Sequence, residues 1–366
     1  MTVSVVLNGA RSATRVSDAT RARIKEAAAR LSYQPNAVAR GLTRRRMDTI
    51  GVVALVQGGD VNLYFLEVIG SIIEAANEHK QNTTIFSIDE WSRDQSRILQ
   101  FCDGRVDGMI LVAPMDVSET VADSLRRRTP FVMLHSDAGA LAVDNIDVDN
   151  VGGSYAMVQY LTSIGHKRIA HFAGPTTRVG ALRRLDGYRR ALEDAGIEYD
   201  ASLVSHGPYA ASTGRELAQI LLDRCAPQEL PTAIFCATDA IAFGCMEVLN
   251  RNGIRIPDDI SVAAFDGLLQ SLMTVPPLTT VHQPLHRMGR YAVERLLKRI
   301  DEGVRQPVAA SAASGDGAPV GAANGNGYQF KDGNFSVAGR FVEPPRTDIF
   351  ACELIIRGST GPPRSA

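Results

Sequence analysis

From residue 47 onward, short apolar runs alternate with longer stretches in which apolar residues return every three or four positions. The runs at 50–56, 83–88, 108–112 and 131–134 are continuous enough to be strands buried on both faces. Between them, segments near 65–78, 93–102 and 119–127 carry helical periodicity. The alternation then starts again, with strands expected at 168–172, 233–237 and 261–265 and helices near 181–193, 212–222 and 240–250. One βα unit after another gives an α/β body of two similar halves, each a doubly wound parallel-sheet subdomain. Ligands bind such sheets beyond the carboxyl ends of their strands, so a cleft between the halves is expected.

The first 46 residues read differently. Ser17 can cap a helix, Asp18 suits its first turn, and Ile24, Ala27, Ala28 and Leu31 follow at helical spacing until Pro35 ends the run. Ahead of it, Val3, Val6 and Leu7 mark one face of a shorter helix that stops at Asn8-Gly9, with Thr2 and Ser4 on its other side. The segment 36–42 is a third candidate, too short to be stable alone in water. This makes a small all-α head.

Charge sharpens the division. The head carries ten Lys or Arg against Asp18 and Glu26, whereas the other 320 residues carry 29 basic and 38 acidic groups. Basic density on a small helical unit favours a phosphate backbone as partner. The alternative is a merely solvated basic tail, which would show no fold pattern.

Thr2-Val3-Ser4, Leu7-Asn8-Gly9, Val16-Ser17, Thr20-Arg21, Ile24, Ala27-Ala28, Leu31, Tyr33, Pro35-Asn36, Ala39-Arg40 and Leu42 together resemble the LacI/GalR family of bacterial transcription regulators. The likeness implies a helix-turn-helix whose recognition helix contains Thr2, Ser4 and Val5 and enters the major groove. It also implies a hinge helix around Asn36, Ala39, Arg40 and Leu42, with Leu42 as a wedge between base steps in the minor groove. Val5 stands where many relatives have Arg or another polar base-reading residue. It either touches a thymine methyl or packs on the neighbouring helix. The family has about 15 more residues ahead of Thr-Val-Ser, forming the first helix and the turn. The head is therefore expected to be partial and the chain as it stands a poor operator binder, through either an upstream start or a truncated paralogue.

The resemblance continues through Ile50-Gly51-Val52, Arg105-Val106-Asp107-Gly108, Asp149-Asn150 with Gly152-Gly153, Gly165-His166, Ala173-Gly174-Pro175 and Gly187-Tyr188. It goes on through Asp239 with Ala242 and Gly244, Pro257-Asp258, Phe265-Asp266 and Pro277-Leu278-Thr279-Thr280-Val281. This implies a periplasmic-binding-protein-like body, with crossovers between halves near 161–165, 281–284 and the C-terminus. The expected division is a head and hinge at 1–46 and an effector-binding domain at 47–366. Its first subdomain spans about 49–161 and 285–303, and its second about 162–284 and 341–360.

Carried over position by position, Tyr64 follows the first strand where relatives place a ring or small apolar group against the ligand. Arg178 and Arg184 bracket a helix start, and Arg184 matches a family arginine that grips effector oxygens with its planar fork. Asp266 would accept from a ligand hydroxyl or amine, Asp149 would do the same from the other half, and Asp239 is a further candidate. Tyr209 occupies a stacking position. Each has an ordinary reading too: ion pair or strand-end cap for Arg184 and Asp266, core aromatic for the tyrosines, helix cap for Asp149 and Asp239. His135 replaces a frequent acid after the fourth strand, which would bring pH sensitivity near neutrality. Trp91, the only tryptophan, either stacks on a sugar or packs at the cleft rim.

Other chemistries find no support. The sequence has no Walker loop, no G-x-G-x-x-G after a strand, no G-x-S-x-G and no H-E-x-x-H. Its five cysteines are scattered without metal-ligand spacing, and their odd number fits a reducing compartment. Neither a signal stretch nor an 18-residue apolar run is present. The expectation is a cytoplasmic protein, not an enzyme, with no cofactor, metal or membrane contact. Its expected partners are double-stranded operator DNA, a second copy in a homodimer, and a small-molecule effector. For the effector a sugar is favoured, with a nucleobase or nucleoside as the minority choice. Two rival functions stand beside this one: a ligand-binding paralogue without operator binding, and an α/β enzyme acting on a sugar or nucleotide. The segment 307–327, almost all Ala, Gly, Ser, Val and Asn, reads as a disordered insertion.

Overall fold

The computed structural model describes residues 2–8, 16–33, 36–55, 63–91, 93–119, 121–122, 125, 129–136, 139, 141–304, 328–331, 334–337, 340–341 and 343–364. Three helices come first, at Thr2–Asn8, Asp18–Arg30 and Ala37–Arg44. The strands that follow are β1 (Thr49–Leu55), β2 (Asn82–Ile88), β3 (Gly108–Val112), β4 (Phe131–Leu134) and β5 (Asp144–Val148). After them come β6 (Ile169–Ala173), β7 (Val204–His206), β8 (Ala233–Cys236), β9 (Ser261–Asp266) and β10 (Thr279–His282). The last are β11 (Tyr328–Lys331), β12 (Asn334–Val337), β13 (Arg340–Phe341), β14 (Thr347–Phe350) and β15 (Glu353–Ile355).

Among the described residues two six-stranded sheets form the body. Their orders, β14-β5-β4-β3-β1-β2 and β15-β10-β9-β8-β6-β7, are the same arrangement used twice. Every neighbouring pair in them is parallel except β10 with β15. The two halves expected from the alternation are these two lobes. β3, β4, β6, β8 and β9 are buried along their whole length, as strands covered by helices on both faces must be.

The crossovers differ from those expected. Helix Asn150–Ser163, placed by sequence in the first subdomain, packs on the second sheet. A Cβ on Gly153 would stand 2.9 Å from Phe265 and Val281, and one on Gly187 2.3 Å from the Val151 carbonyl, so two glycines let this helix and helix Val179–Asp194 close on the second lobe. The chain therefore changes lobes at 148–150, not at 161–165. Near the other end, β14 pairs with β5 of the first sheet and β15 with β10 of the second, so 347–350 belongs to the first lobe and the crossing falls at 351–352. Helix Leu285–Val304 returns to the first lobe as expected, against helix Leu63–Glu78.

β5 had no apolar run to announce it. Its sequence is Asp-Asn-Ile-Asp-Val, yet all five residues are buried. Burial of these carboxylates is sustained by charge partners. Asp144 bonds Arg295 at 2.6 Å and Arg299 at 2.6 Å, and although burial opposes it, the two guanidiniums hold its carboxyl below the usual range. The stretch 307–327 lies outside the described residues. β11, β12 and β13 form a separate antiparallel sheet that the sequence reading did not foresee.

Candidate effector cleft and DNA-reading head

Helix Val179–Asp194 begins where β6 ends, and it carries Arg184 on the face turned to the strand ends of the second lobe. Arg184 is 6% exposed. Its Nε donates to Asn150 Oδ1 at 2.9 Å, and its Nη1 donates to the Ala237 carbonyl at 2.5 Å and to Asp266 Oδ1 at 3.3 Å. The guanidinium carbon also lies 3.8 Å from the centre of the Phe265 ring. A charge this deep is tolerable only when its donors find partners, and Nε and Nη1 have them here.

Asp266 closes β9 at φ +134°, a conformation that costs energy for any residue with a side chain. Gln283 holds it there. The Gln283 backbone N–H donates to the Asp266 carbonyl at 3.0 Å, and its Nε2 donates to Oδ1 at 2.7 Å. Burial pushes the Asp266 carboxyl up to about 6, against the pull of Arg184 and Gln283.

Tyr64 stands in the first turn of helix Leu63–Glu78 after β1, edge-on to Phe65 at 5.5 Å and to His135 at 5.3 Å. Tyr209 lies over Gly174, where a Cβ would meet its ring at 2.1 Å. Burial raises both phenols above their ordinary pKa, and both feel the same four charges, Arg178, Arg184, Asp147 and Asp266. The structure thus gathers Tyr64, Arg178, Arg184, Tyr209 and Asp266 in one neighbourhood between the lobes. Among the described residues the hydroxyls of Tyr64 and Tyr209, Nε2 of His135 and Oε1 of Gln283 are buried there without a hydrogen-bond partner. Buried polar atoms are paired in the great majority of cases, so four in one cleft mark a place built to meet polar groups.

Arg178 sits one residue before helix Val179–Asp194, and its Nη1 donates at 2.6 Å to the carbonyl of Ala113 just beyond β3. Burial lowers its pKa. Two other carboxylates are engaged elsewhere. Asp149 is exposed and caps helix Asn150–Ser163 by accepting from the Gly152 N–H at 2.8 Å. Asp239 is fully buried and accepts from the Leu268 N–H at 2.7 Å and the Thr280 hydroxyl at 2.6 Å, while Thr238, not Asp239, caps the helix that follows. Burial and the nearby Asp266 push the Asp239 carboxyl well above the usual range.

Trp91 is neither a cleft nor a rim residue. It is 2% exposed and packs with Ile88, Ile98 and Met109 inside the first lobe. Residue type alone gave no signal for Gln283, Asp147 or Arg183. Asn150 lay within a motif noted from sequence, without a role.

In the head, the Thr20 N–H donates to Ser17 Oγ at 3.3 Å, so the expected cap is present, and the Ala39 N–H donates to Asn36 Oδ1 at 3.2 Å at the start of the third helix. Helix Thr2–Asn8 touches helix Asp18–Arg30 through a buried Val6, with Val5 half-buried. Leu31 is 72% exposed at the helix end, not part of the apolar face its spacing suggested. Ala39 is exposed and Arg40 half-buried, while the side chains of Thr2, Ser4 and Leu42 lie outside the described residues. The hinge is tied to the first lobe. Asp107 accepts from the Met47 N–H at 2.7 Å, and Arg46 meets Asp301 of helix Leu285–Val304 at 2.6 Å.

Comparison with known proteins agrees with this layout. The model for bacterial regulatory proteins of the lacI family matches residues 1–36, and that for periplasmic binding protein-like domains matches 158–312. The transcriptional repressor PurR of Vibrio atlanticus is 35% identical over 82% of this chain and 88% of its own length. The chain belongs to the LacI family. Its members here are DNA-binding transcriptional regulators under effector control. A solved complex of the transcriptional regulator CelR with cellobiose is 27% identical, covers 97% of this chain and 94% of its own, and superposes with a TM-score of 0.67. The lac repressor dimer bound to operator and an anti-inducer shares the fold at 24% identity, with a TM-score of 0.75 over 98% of this chain and 94% of its own. Among the described residues no helix is long and apolar enough to cross a membrane, and no group of three His, Cys, Asp or Glu stands ready to hold a metal.

Proposed function

We propose that this LacI-family chain works in the cytoplasm as a homodimer on double-stranded operator DNA, acting as a repressor, and that a sugar in the inter-lobe cleft sets its operator affinity. The observation that carries this reading is the buried Arg184–Asp266 pair facing the unpartnered hydroxyls of Tyr64 and Tyr209. Sugar hydroxyls donate and accept at once, so each can satisfy a phenol and a charged group together. The cellobiose complex of CelR supports the same class. Tyr64, Arg178, Arg184, Tyr209 and Asp266 are the proposed contacts. Asp149 spends one oxygen on the Gly152 N–H and Asp239 both of its own on the Leu268 N–H and Thr280, and both are assigned to the frame around the cleft.

Residues 1–46 are the proposed reading head, with Thr2, Ser4 and Val5 at the major groove and Asn36, Ala39, Arg40 and Leu42 in the hinge. Dimerisation is supported by exposed apolar side chains that meet across the two lobes, Leu66 on the first and Leu269 and Leu272 on the second. A hollow of about 550 Å³ lined by Leu63, Leu66, Leu269, Leu272 and Ile355 joins the two parts.

Calorimetric titration with cellobiose, ribose, guanine and adenosine tests the effector class. Saturable binding of a sugar that is lost in Asp266→Asn supports the proposal. Binding of guanine or adenosine without either sugar would replace the effector class and leave the family assignment intact.

A further inference from the structure

Three arginines near the start of one helix divide their attention between the lobes. Arg184 turns onto its own lobe, whereas Arg178 and Arg183 reach across to the other. The Arg183 Nη1 donates to Asp147 Oδ2 at 2.9 Å. Asp147 belongs to β5 of the first lobe, and its side chain is 5% exposed against 36% for Arg183. Its other oxygen is committed to the crossover: Oδ1 accepts from the Val148 N–H at 2.8 Å and from Asn150 Nδ2 at 3.3 Å, with His135 Nδ1 at 3.6 Å. One carboxylate therefore anchors itself in the segment where the chain changes lobes and extends its second oxygen to the moving partner.

We infer that Asp147 and Arg183 are positioning residues that set the relative orientation of the two lobes without touching the effector. The inference rests on the reading of the cleft as an effector-controlled hinge, and adds a pair that the sequence reading left out. Two geometric facts give it force. The pair bridges elements of different lobes, so it opposes any rotation that parts β5 from helix Val179–Asp194. Arg183 also adjoins Arg184 on that helix, so a displacement imposed on Arg184 from the cleft is passed to the bridge. A ligand can shift such a hinge only by favouring one orientation, and the bridge determines how strongly one is already favoured.

The test needs no effector. Azide-bearing residues at Asn77 and Glu193, both exposed, place a dye pair on helix Leu63–Glu78 and on helix Val179–Asp194 of the full-length protein, mixed with excess unlabelled chain so that only transfer within one protomer is read. Arg183→Gln and Asp147→Asn are expected to change transfer efficiency in the same direction, and Arg183→Lys to keep it close to the parent value. Arg190→Gln is the control, because Arg190 pairs with Asp186 of its own helix at 2.7 Å and should leave the efficiency unchanged. Parent-like transfer in a cooperatively folded Arg183→Gln protein overturns the inference, and so does an equal shift in Arg190→Gln. If Asp147→Asn fails to fold, the half-exposed Arg183 variants still decide. Failure to find a sugar ligand would refute the proposed effector class and leave this readout unaffected.

Discussion

The second lobe meets the cleft with a bonded set of charges beside two open atoms, the Tyr209 hydroxyl and Gln283 Oε1, and the first lobe meets it with open atoms at Tyr64 and His135. Arg184, Asp266, Gln283 and Asn150 form a bonded set on the second lobe, while Tyr64 and His135 of the first present a hydroxyl and a ring nitrogen without a partner among the described residues. The two sheets share one strand order, so the contrast arises from side chains and not from topology. Its consequence is directional. A ligand finds a fixed charged floor on one lobe, and completing the other wall brings the lobes together, which is the differential contact a switch requires.

The strongest way to break the comparison is to remove the floor. Arg184→Met leaves Asp266 buried without its cation, and loss of one partner of a buried pair costs about 3–5 kcal/mol. Denaturant unfolding should show a drop of that order, whereas Arg183→Met on the half-exposed bridge should cost far less. Equal losses would mean that the second lobe is not the rigid half.

Next in size is a pH effect. Asp266 titrates near 6 in the folded chain, above its ordinary value, so the folded state binds the proton more tightly than the unfolded state. This contribution to stability is fully present below about pH 4 and is lost as pH rises through about 6, with a total on the order of 2–3 kcal/mol. Asp266→Asn should flatten the decline in unfolding free energy between those limits. A slope unchanged by the variant would place the titration elsewhere.

The first-lobe wall predicts the opposite pattern. Tyr64→Phe deletes a buried hydroxyl that has no partner, so stability should stay level or rise slightly, while effector affinity falls about tenfold for one lost hydrogen bond. Calorimetry and thermal melts on the same sample separate the two effects. A small loss of stability is expected at the hinge. Arg46→Ala breaks a partly exposed pair with Asp301, worth at most about 0.5 kcal/mol. Its effect should appear instead in the effector response of operator binding, because the contact joins the hinge to the first lobe.

The two regions also differed in how far sequence revealed them. Strands β3, β4 and β8 were legible because they are apolar throughout, β9 because its middle, 262–265, is, and so was the use of the same pattern twice. β5 was not, because three of its five buried positions are Asp144, Asn145 and Asp147, and the arginines that pair the two carboxylates lie far away in the chain. The lobe boundary was misplaced for a related reason: which sheet a helix covers is decided by close approach at Gly153 and Gly187, which leaves no trace in helical periodicity. In the cleft, the resemblance led to Arg184, Asp266, Tyr64, Arg178 and Tyr209, which the structure brings together. It also led to Asp149, which caps a helix through one oxygen, and Asp239, whose two oxygens are taken by Leu268 and Thr280, since a carboxylate in such a motif looks the same whether it faces a ligand or a backbone N–H.

The most direct test of effector control through the Arg184–Asp266 floor is fluorescence anisotropy of a labelled palindromic operator titrated with the full chain, in the presence and absence of each of a panel of sugars that includes cellobiose. The account predicts that at least one sugar moves the midpoint by about fivefold or more, and that Asp266→Asn still binds the operator but no longer responds. Operator binding indifferent to every sugar, or a response undiminished in Asp266→Asn, would contradict it.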